Sequence, residues 1–215
     1  QQQAVDKLLA ARKLTVPILL VVGQWDQEDS YGAPAVYRAL KPQDPAGTLV
    51  HLAIGPWRHS GVNYDGTTLG ALKFEGDTAL QFRTRWMKPF LDCHLKTNPP
   101  PCDTPPVITY ATGTNRWDVS QKWPDGSERP LYLAPQFGLS FTRPAQAGSD
   151  DYVSDPAKPV PMRPRPVHLD GDDWKTWLVH DQRFADGRPD VLSYTSAPLD
   201  QPLHIKGAPR VELHA

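Results

Sequence analysis

Val16-Pro17-Ile18-Leu19-Leu20-Val21-Val22-Gly23 is an apolar run of strand length, rich in β-branched residues and closed by glycine. A segment with no polar alternation reads as a strand buried on both faces, which points to a parallel sheet. Working outward, Ala33 to Leu40 has helix-favouring alanines with Pro34 suited to a first turn, and Pro42 and Pro45 stop it. Thr48-Leu49-Val50-His51-Leu52-Ala53-Ile54 then repeats the buried-strand pattern and ends at Gly55-Pro56. Strand, helix and strand in this order describe a βαβ unit. After a loop from Gly55 to Gly76, Ala79, Phe82, Trp86, Phe90 and Leu91 recur at helical spacing between Asp77 and Leu95. Asp77 is the expected N-cap, and Pro89 is expected to kink that helix or end its regular part.

Thr97 to Pro106 is proline-rich and has the composition of a linker. Beyond it come short β-prone runs: Val107 to Ala111, Leu131 to Leu133, Leu139 to Phe141, Asp190 to Thr195, Leu203 to Lys206 and Arg210 to His214. Their irregular spacing and turn-rich surroundings predict a β-sandwich. The expected division is residues 1–104, α/β, and residues 105–215, β. At 215 residues and 39% hydrophobic content, one large or two small domains are both affordable.

Composition narrows the function classes. With 23 Lys+Arg against 24 Asp+Glu the net charge is −1, so there is no basic field to attract a polyphosphate backbone. Nucleic acid is excluded as an expected partner. No apolar stretch is long enough for a transmembrane helix, and Gln1 to Ala10 lacks the pattern of a signal peptide. Proline accounts for 24 of the 215 residues, about double ordinary usage. Such density implies turns and edge strands rather than disorder, because seven Trp, seven Tyr and six Phe supply core. Cys93 and Cys102 permit one local disulfide or two free thiols. No cluster has metal-site spacing, and neither metal nor organic cofactor is expected.

In open α/β sheets, functional groups gather beyond the carboxyl ends of the strands. Asp26 follows the first strand in Gly23-Gln24-Trp25-Asp26, and His59 follows the second in Gly55-Pro56-Trp57-Arg58-His59. Adjacent strand ends would bring the two within hydrogen-bond reach. A carboxylate beside an imidazole fixes its tautomer and stabilises the imidazolium formed when the ring takes a proton. The order Asp then His matches the α/β-hydrolase triad, although the same pair is consistent with a helix cap and a loop histidine. The chain's serines do not include one in a G-x-S-x-G elbow, and Ser60 directly follows His59. A nucleophile must therefore come from elsewhere, or the pair has no catalytic role.

The segments Gly23-Gln24-Trp25-Asp26-Gln27-Glu28-Asp29, Gly55-Pro56-Trp57-Arg58-His59-Ser60-Gly61 and Phe74-Glu75-Gly76-Asp77-Thr78-Ala79 resemble α-amino acid ester hydrolases. These belong to the cocaine-esterase and X-Pro dipeptidyl-peptidase group of serine hydrolases. The resemblance continues through Asn115-Arg116-Trp117, Trp123-Pro124 and Tyr152-Val153-Ser154-Asp155-Pro156 to Arg188-Pro189-Asp190-Val191-Leu192-Ser193-Tyr194-Thr195. It implies the C-terminal part of an α/β-hydrolase domain followed by an incomplete jelly-roll β-sandwich, with the nucleophilic Ser and oxyanion donors upstream of Gln1. It further implies Asp26 and His59 as triad members, with Glu28 and Asp29 in a carboxylate cluster for the substrate's α-ammonium group. Read by themselves, Glu28 and Asp29 are also consistent with solvated acids at a helix start.

The implied chemistry is hydrolysis of α-amino acid esters and amides through an acyl-enzyme. Transfer of the acyl group to β-lactam amines is a further implication. The same group also contains neutral-ester and X-Pro peptide hydrolases. From outside the enzyme class, the rival is a carbohydrate- or partner-binding β-sandwich joined to an inert α/β remnant. Export to the periplasm or medium is expected from the resemblance, and a homo-oligomer is left open. Trp25, Trp57 and Tyr64 are expected to serve packing more than substrate contact.

Overall fold

The computed structural model describes residues 7–124, 127–168 and 171–214. They divide into two compact units, one formed by the described residues up to Trp123 and within 169–179, the other by those within 124–168 and 180–214.

The first unit is built on the two apolar runs. β1 (Ile18–Trp25) and β2 (Val50–Arg58) pair in parallel, joined through α1 (Gly32–Leu40). The expected βαβ unit is present. Alternation within each strand then sorts side chains to two faces. Ile18, Leu20, Val50 and Leu52 pack with Tyr37 and Leu40 of α1. Leu19, Val21, Ala53 and Trp57 turn to the opposite face, against Ala79, Phe82 and Trp86.

That second layer is a single helical path in three pieces. α2 (Thr78–Phe82) passes into a π turn (Arg83–Met87) and then α3 (Lys88–Leu95). Asp77 caps α2, its carboxylate accepting from the Leu80 N–H at 2.9 Å and from the Gly66 N–H at 2.8 Å. Pro89 has no N–H to continue the ladder, and the wide turn comes just before it, where the Lys88 N–H bonds back to the Arg83 carbonyl. Leu91, expected on the buried face, is 42% exposed, and Cys93 takes the place beside Phe90. A π turn changes the angular phase of everything after it.

The loop expected from Gly55 to Gly76 is more ordered than its composition suggests. β2 runs on to Arg58, and β3 (Thr68–Leu69) and β4 (Leu72–Lys73) form a small hairpin. Trp57 secures this region, donating from Nε1 to the Thr78 hydroxyl at 3.0 Å while that hydroxyl donates to the Gly66 carbonyl at 2.8 Å.

The division expected at 104/105 differs from the division in space. β5 (Val107–Ala111) pairs in parallel with β2, and β6 (Arg116–Ser120) pairs antiparallel with β5, completing a four-stranded sheet of order β1-β2-β5-β6. The reason is packing: Val107 and Ile108, both fully buried, belong to the cores on the two sheet faces. Cys93 and Cys102 are joined in a disulfide that ties the end of α3 to the segment leading into β5. His51 clasps the same segment, one ring nitrogen lying 2.9 Å from the Pro105 carbonyl.

The second unit contains a three-stranded sheet. β7 (Tyr132–Ala134) and β8 (Gly138–Ser140) form an antiparallel hairpin, and β9 (Thr195–Ser196) lies parallel to β8. Tyr194 anchors the strand, donating its hydroxyl to Asp150 at 2.8 Å and contacting the Phe137 ring. The fold is therefore α/β plus β. Most of Asp190 to Thr195, and all of Leu203 to Lys206 and Arg210 to His214, lie outside strands here. Leu203, Ile205, Val211 and Leu213 alternate as a half-buried strand would, yet all four are exposed. Alternation signals a strand only where a partner strand receives it. α4 (Gly171–Trp177), not expected from the sequence, belongs to the first unit.

Candidate active site

Two features of the β1–β2 pairing place the site. The ladder keeps a regular register from Ile18↔Val50 to Gly23↔Gly55, then shifts by one residue so that Trp25 pairs with Arg58. Gly23 makes that shift possible: a Cβ there would lie 2.2 Å from the Trp57 carbonyl oxygen. The next residues are Asp26 and His59, delivered side by side past the last paired positions.

The His59 Nδ1 lies 3.2 Å from both carboxylate oxygens of Asp26. Asp26 Oδ1 also accepts the backbone N–H groups of Glu28 at 2.9 Å and Asp29 at 3.0 Å. Burial pushes the Asp26 pKa up, but those two N–H groups and His59 outweigh it and hold the carboxyl below its ordinary value. Asp26 is therefore an ionised, oriented acceptor. It favours the imidazole tautomer with its proton on Nδ1, which leaves Nε2 to accept.

His59 is fixed through its backbone as well. Its N–H donates to Gln27 Oε1 at 3.2 Å, and its carbonyl accepts from Arg58 Nη1 at 2.9 Å. Gln27 was not singled out from the sequence, though its place next to Asp26 was the available signal. Arg58 also lies over the Tyr64 ring. Trp57 is buried in the aromatic cluster with Phe82 and Trp117, a packing role.

Glu28 and Asp29 lie beside the pair in different settings. Glu28 is exposed, with Oε2 at 3.5 Å from His59 Nε2. Asp29 Oδ1 accepts from the Gly32 N–H at 2.6 Å and the Tyr31 N–H at 3.2 Å, fastening the start of α1. Of the four residues expected at the site, Asp26 and Glu28 stand beside the His59 imidazole, whereas the Asp29 carboxylate faces the start of α1. A fifth group of interest, Cys93 with His94 and Cys102, offers no thiolate, because its cysteines are bonded to each other.

Comparison with known proteins places this geometry in context. Residues 1–61 match the family model of X-Pro dipeptidyl-peptidase, and residues 102–215 that of the X-Pro dipeptidyl-peptidase C-terminal non-catalytic domain. The latter begins near the expected 104/105 division, so the family boundary precedes two strands that complete the first unit's sheet. Cocaine esterase from Rhodococcus is 28% identical over 216 residues, covering 90% of this chain and 34% of the esterase. The structure of an α-amino acid ester hydrolase is 53% identical with TM-score 0.89, covering 95% of this chain and 35% of that one. An aminopeptidase from a marine-sediment Thaumarchaeota archaeon is 47% identical with TM-score 0.87, covering 96% of this chain and 34% of its own. The chain spans about a third of the length of these relatives. Since the C-terminal domain model alone covers more than half of the sequence, the chain belongs to the family of the X-Pro dipeptidyl-peptidase C-terminal domain; its first two strands match the X-Pro dipeptidyl-peptidase model, and the chain as a whole resembles α-amino acid ester hydrolases.

Proposed function

We propose that this chain supplies the Asp and His of a serine hydrolase triad that acts on esters and amides of α-amino acids. The observation that carries the reading is the Asp26–His59 contact at adjacent parallel strand ends. In this mechanism His59 Nε2 takes the proton of a serine hydroxyl contributed by an upstream hydrolase segment. The serine oxygen attacks the acyl carbon, and His59 returns the proton to the departing alkoxide or amine. Water, activated in the same way, releases the amino acid. A β-lactam amine in place of water would give the acylated β-lactam. Asp26 keeps the ring oriented and stabilises its protonated form.

Glu28 and Asp29 form the anionic patch that selects an acyl donor carrying an α-ammonium group, since a neutral acyl group has nothing to pair with it. The β unit is read as part of a jelly-roll domain. The Cys93–Cys102 disulfide supports residence in an oxidising compartment. The test is turnover, with the upstream segment present, of a phenylglycine ester, a benzoyl ester and an X-Pro anilide. Preference for the phenylglycine ester, abolished by His59→Ala, is the expected result. Preference for the benzoyl ester or the anilide would assign the chain to a different branch of its family.

A further inference from the structure

The His59 imidazole sits between two carboxylates. Asp26 lies at Nδ1, 3.2 Å away, and Glu28 Oε2 stands 3.5 Å from Nε2. The two contacts make opposite demands. Asp26 wants a proton on Nδ1, which is what a general base needs, because Nε2 then presents a lone pair. A carboxylate at Nε2 wants a proton there too, and a ring that donates from both nitrogens has no lone pair left to accept one. Nε2 is also the nitrogen that a hydroxyl must reach. The described tie of Glu28 to Asp26 runs through its backbone N–H and not through this carboxylate.

We propose that Glu28 gates the general base. With no substrate its carboxylate covers Nε2 of His59; an α-ammonium group draws the carboxylate aside, and Nε2 becomes available to the serine hydroxyl. The inference rests on the reading that Glu28 receives the ammonium group, and adds that recognition and activation are one event at one side chain. As the carboxylate moves from Nε2 to the ammonium group, that nitrogen is uncovered, and the tautomer set by Asp26 presents its lone pair to the serine hydroxyl. An ester without the amine must displace Glu28 unaided. Selectivity then has two sources: attraction of the amine, and obstruction of everything else.

The second source makes an unusual demand on Glu28→Gln. Losing a recognition carboxylate should harm the amino ester, whereas losing an obstruction should help the neutral one. The experiment compares kcat/KM for methyl phenylglycinate and methyl phenylacetate, which differ only by the amine, in the protein carrying its upstream hydrolase segment. For Glu28→Gln the expected result is a fall of about tenfold or more on the amino ester, together with a rise of about twofold to fivefold on the neutral ester, the size of effect an exposed ion pair supports. A fall on the amino ester with an unchanged or lower rate on the neutral ester overturns the gate and leaves recognition standing. An equal change on both esters overturns recognition and the gate together, as does failure of the unsubstituted protein to turn over either ester.

Discussion

Asp26 carries two loads at once: its carboxylate terminates a tight turn through the Glu28 and Asp29 N–H groups and orients His59. Asp26→Asn keeps most of that geometry but presents an amide whose NH₂ cannot accept from Nδ1, so the ring settles in the wrong tautomer. The expected result for the proposed triad, with the nucleophile present, is a loss in kcat of about 10⁴-fold with KM little changed; a loss below tenfold would overturn the proposed role of Asp26. A different carboxylate, Asp44, is 2% exposed and was not anticipated from sequence. Burial pushes its pKa up, but the N–H groups of Val50, Leu49 and Thr48 and the Lys41 ammonium win, lowering it to about 2. Because the folded-state pKa lies below the unfolded one, the stabilisation is complete above pH of about 4 and is lost as pH falls toward 2. It amounts to about 2 kcal/mol. Denaturant midpoints of the native protein and Asp44→Asn should differ at pH 7 and converge on acidification; a constant gap would show that Asp44 stays protonated.

At the scale of elements, the site depends on one close approach. β1 and β2 can change register only because Gly23 lets the Trp57 carbonyl come near, and backbone cannot withdraw as a side chain can. Gly23→Ala should therefore destabilise the protein by about 2 kcal/mol or more and separate Asp26 from His59. Thermal unfolding reads the first effect and turnover the second. Unchanged values for both would mean that the shift does not require glycine. The helix after the site works the other way, accommodating an irregularity: the π turn at Arg83–Met87 precedes Pro89 while Phe82 and Trp86 stay buried under Trp57.

For the molecule as a whole, the consequence lies in where the chain can be cut. The proline-rich stretch from Thr97 to Pro106 has the composition of a linker, yet the Cys93–Cys102 disulfide, the His51 contact to Pro105 and the pairing of β5 with β2 hold it. The exposed run from Tyr152 to Val160 has few such ties. Limited proteolysis should cut first within residues 143–167, leaving residues 97–106 intact until the disulfide is reduced. First cleavage at 97–106 in the oxidised protein would show that the linker composition prevails over its tertiary attachments.

The local pattern was enough to define the βαβ unit, the capping Asp77 and the Asp26–His59 pair, because continuous apolar runs, turn residues and the placement of polar groups at strand ends are properties of short segments. Resemblance added Glu28 and Asp29, which pattern alone left as solvated acids. The membership of β5 and β6 in the first sheet, the buried place of Asp44, the register shift at Gly23 and the absence of strands at Leu203 to Lys206 came only with the tertiary structure. Each depends on a partner distant in sequence: Val107 needs Leu52, Asp44 needs the start of β2, Gly23 needs the Trp57 carbonyl, and an alternating segment needs a neighbouring strand. Short-range pattern shows what a segment is able to form, whereas long-range contact decides with what it forms it.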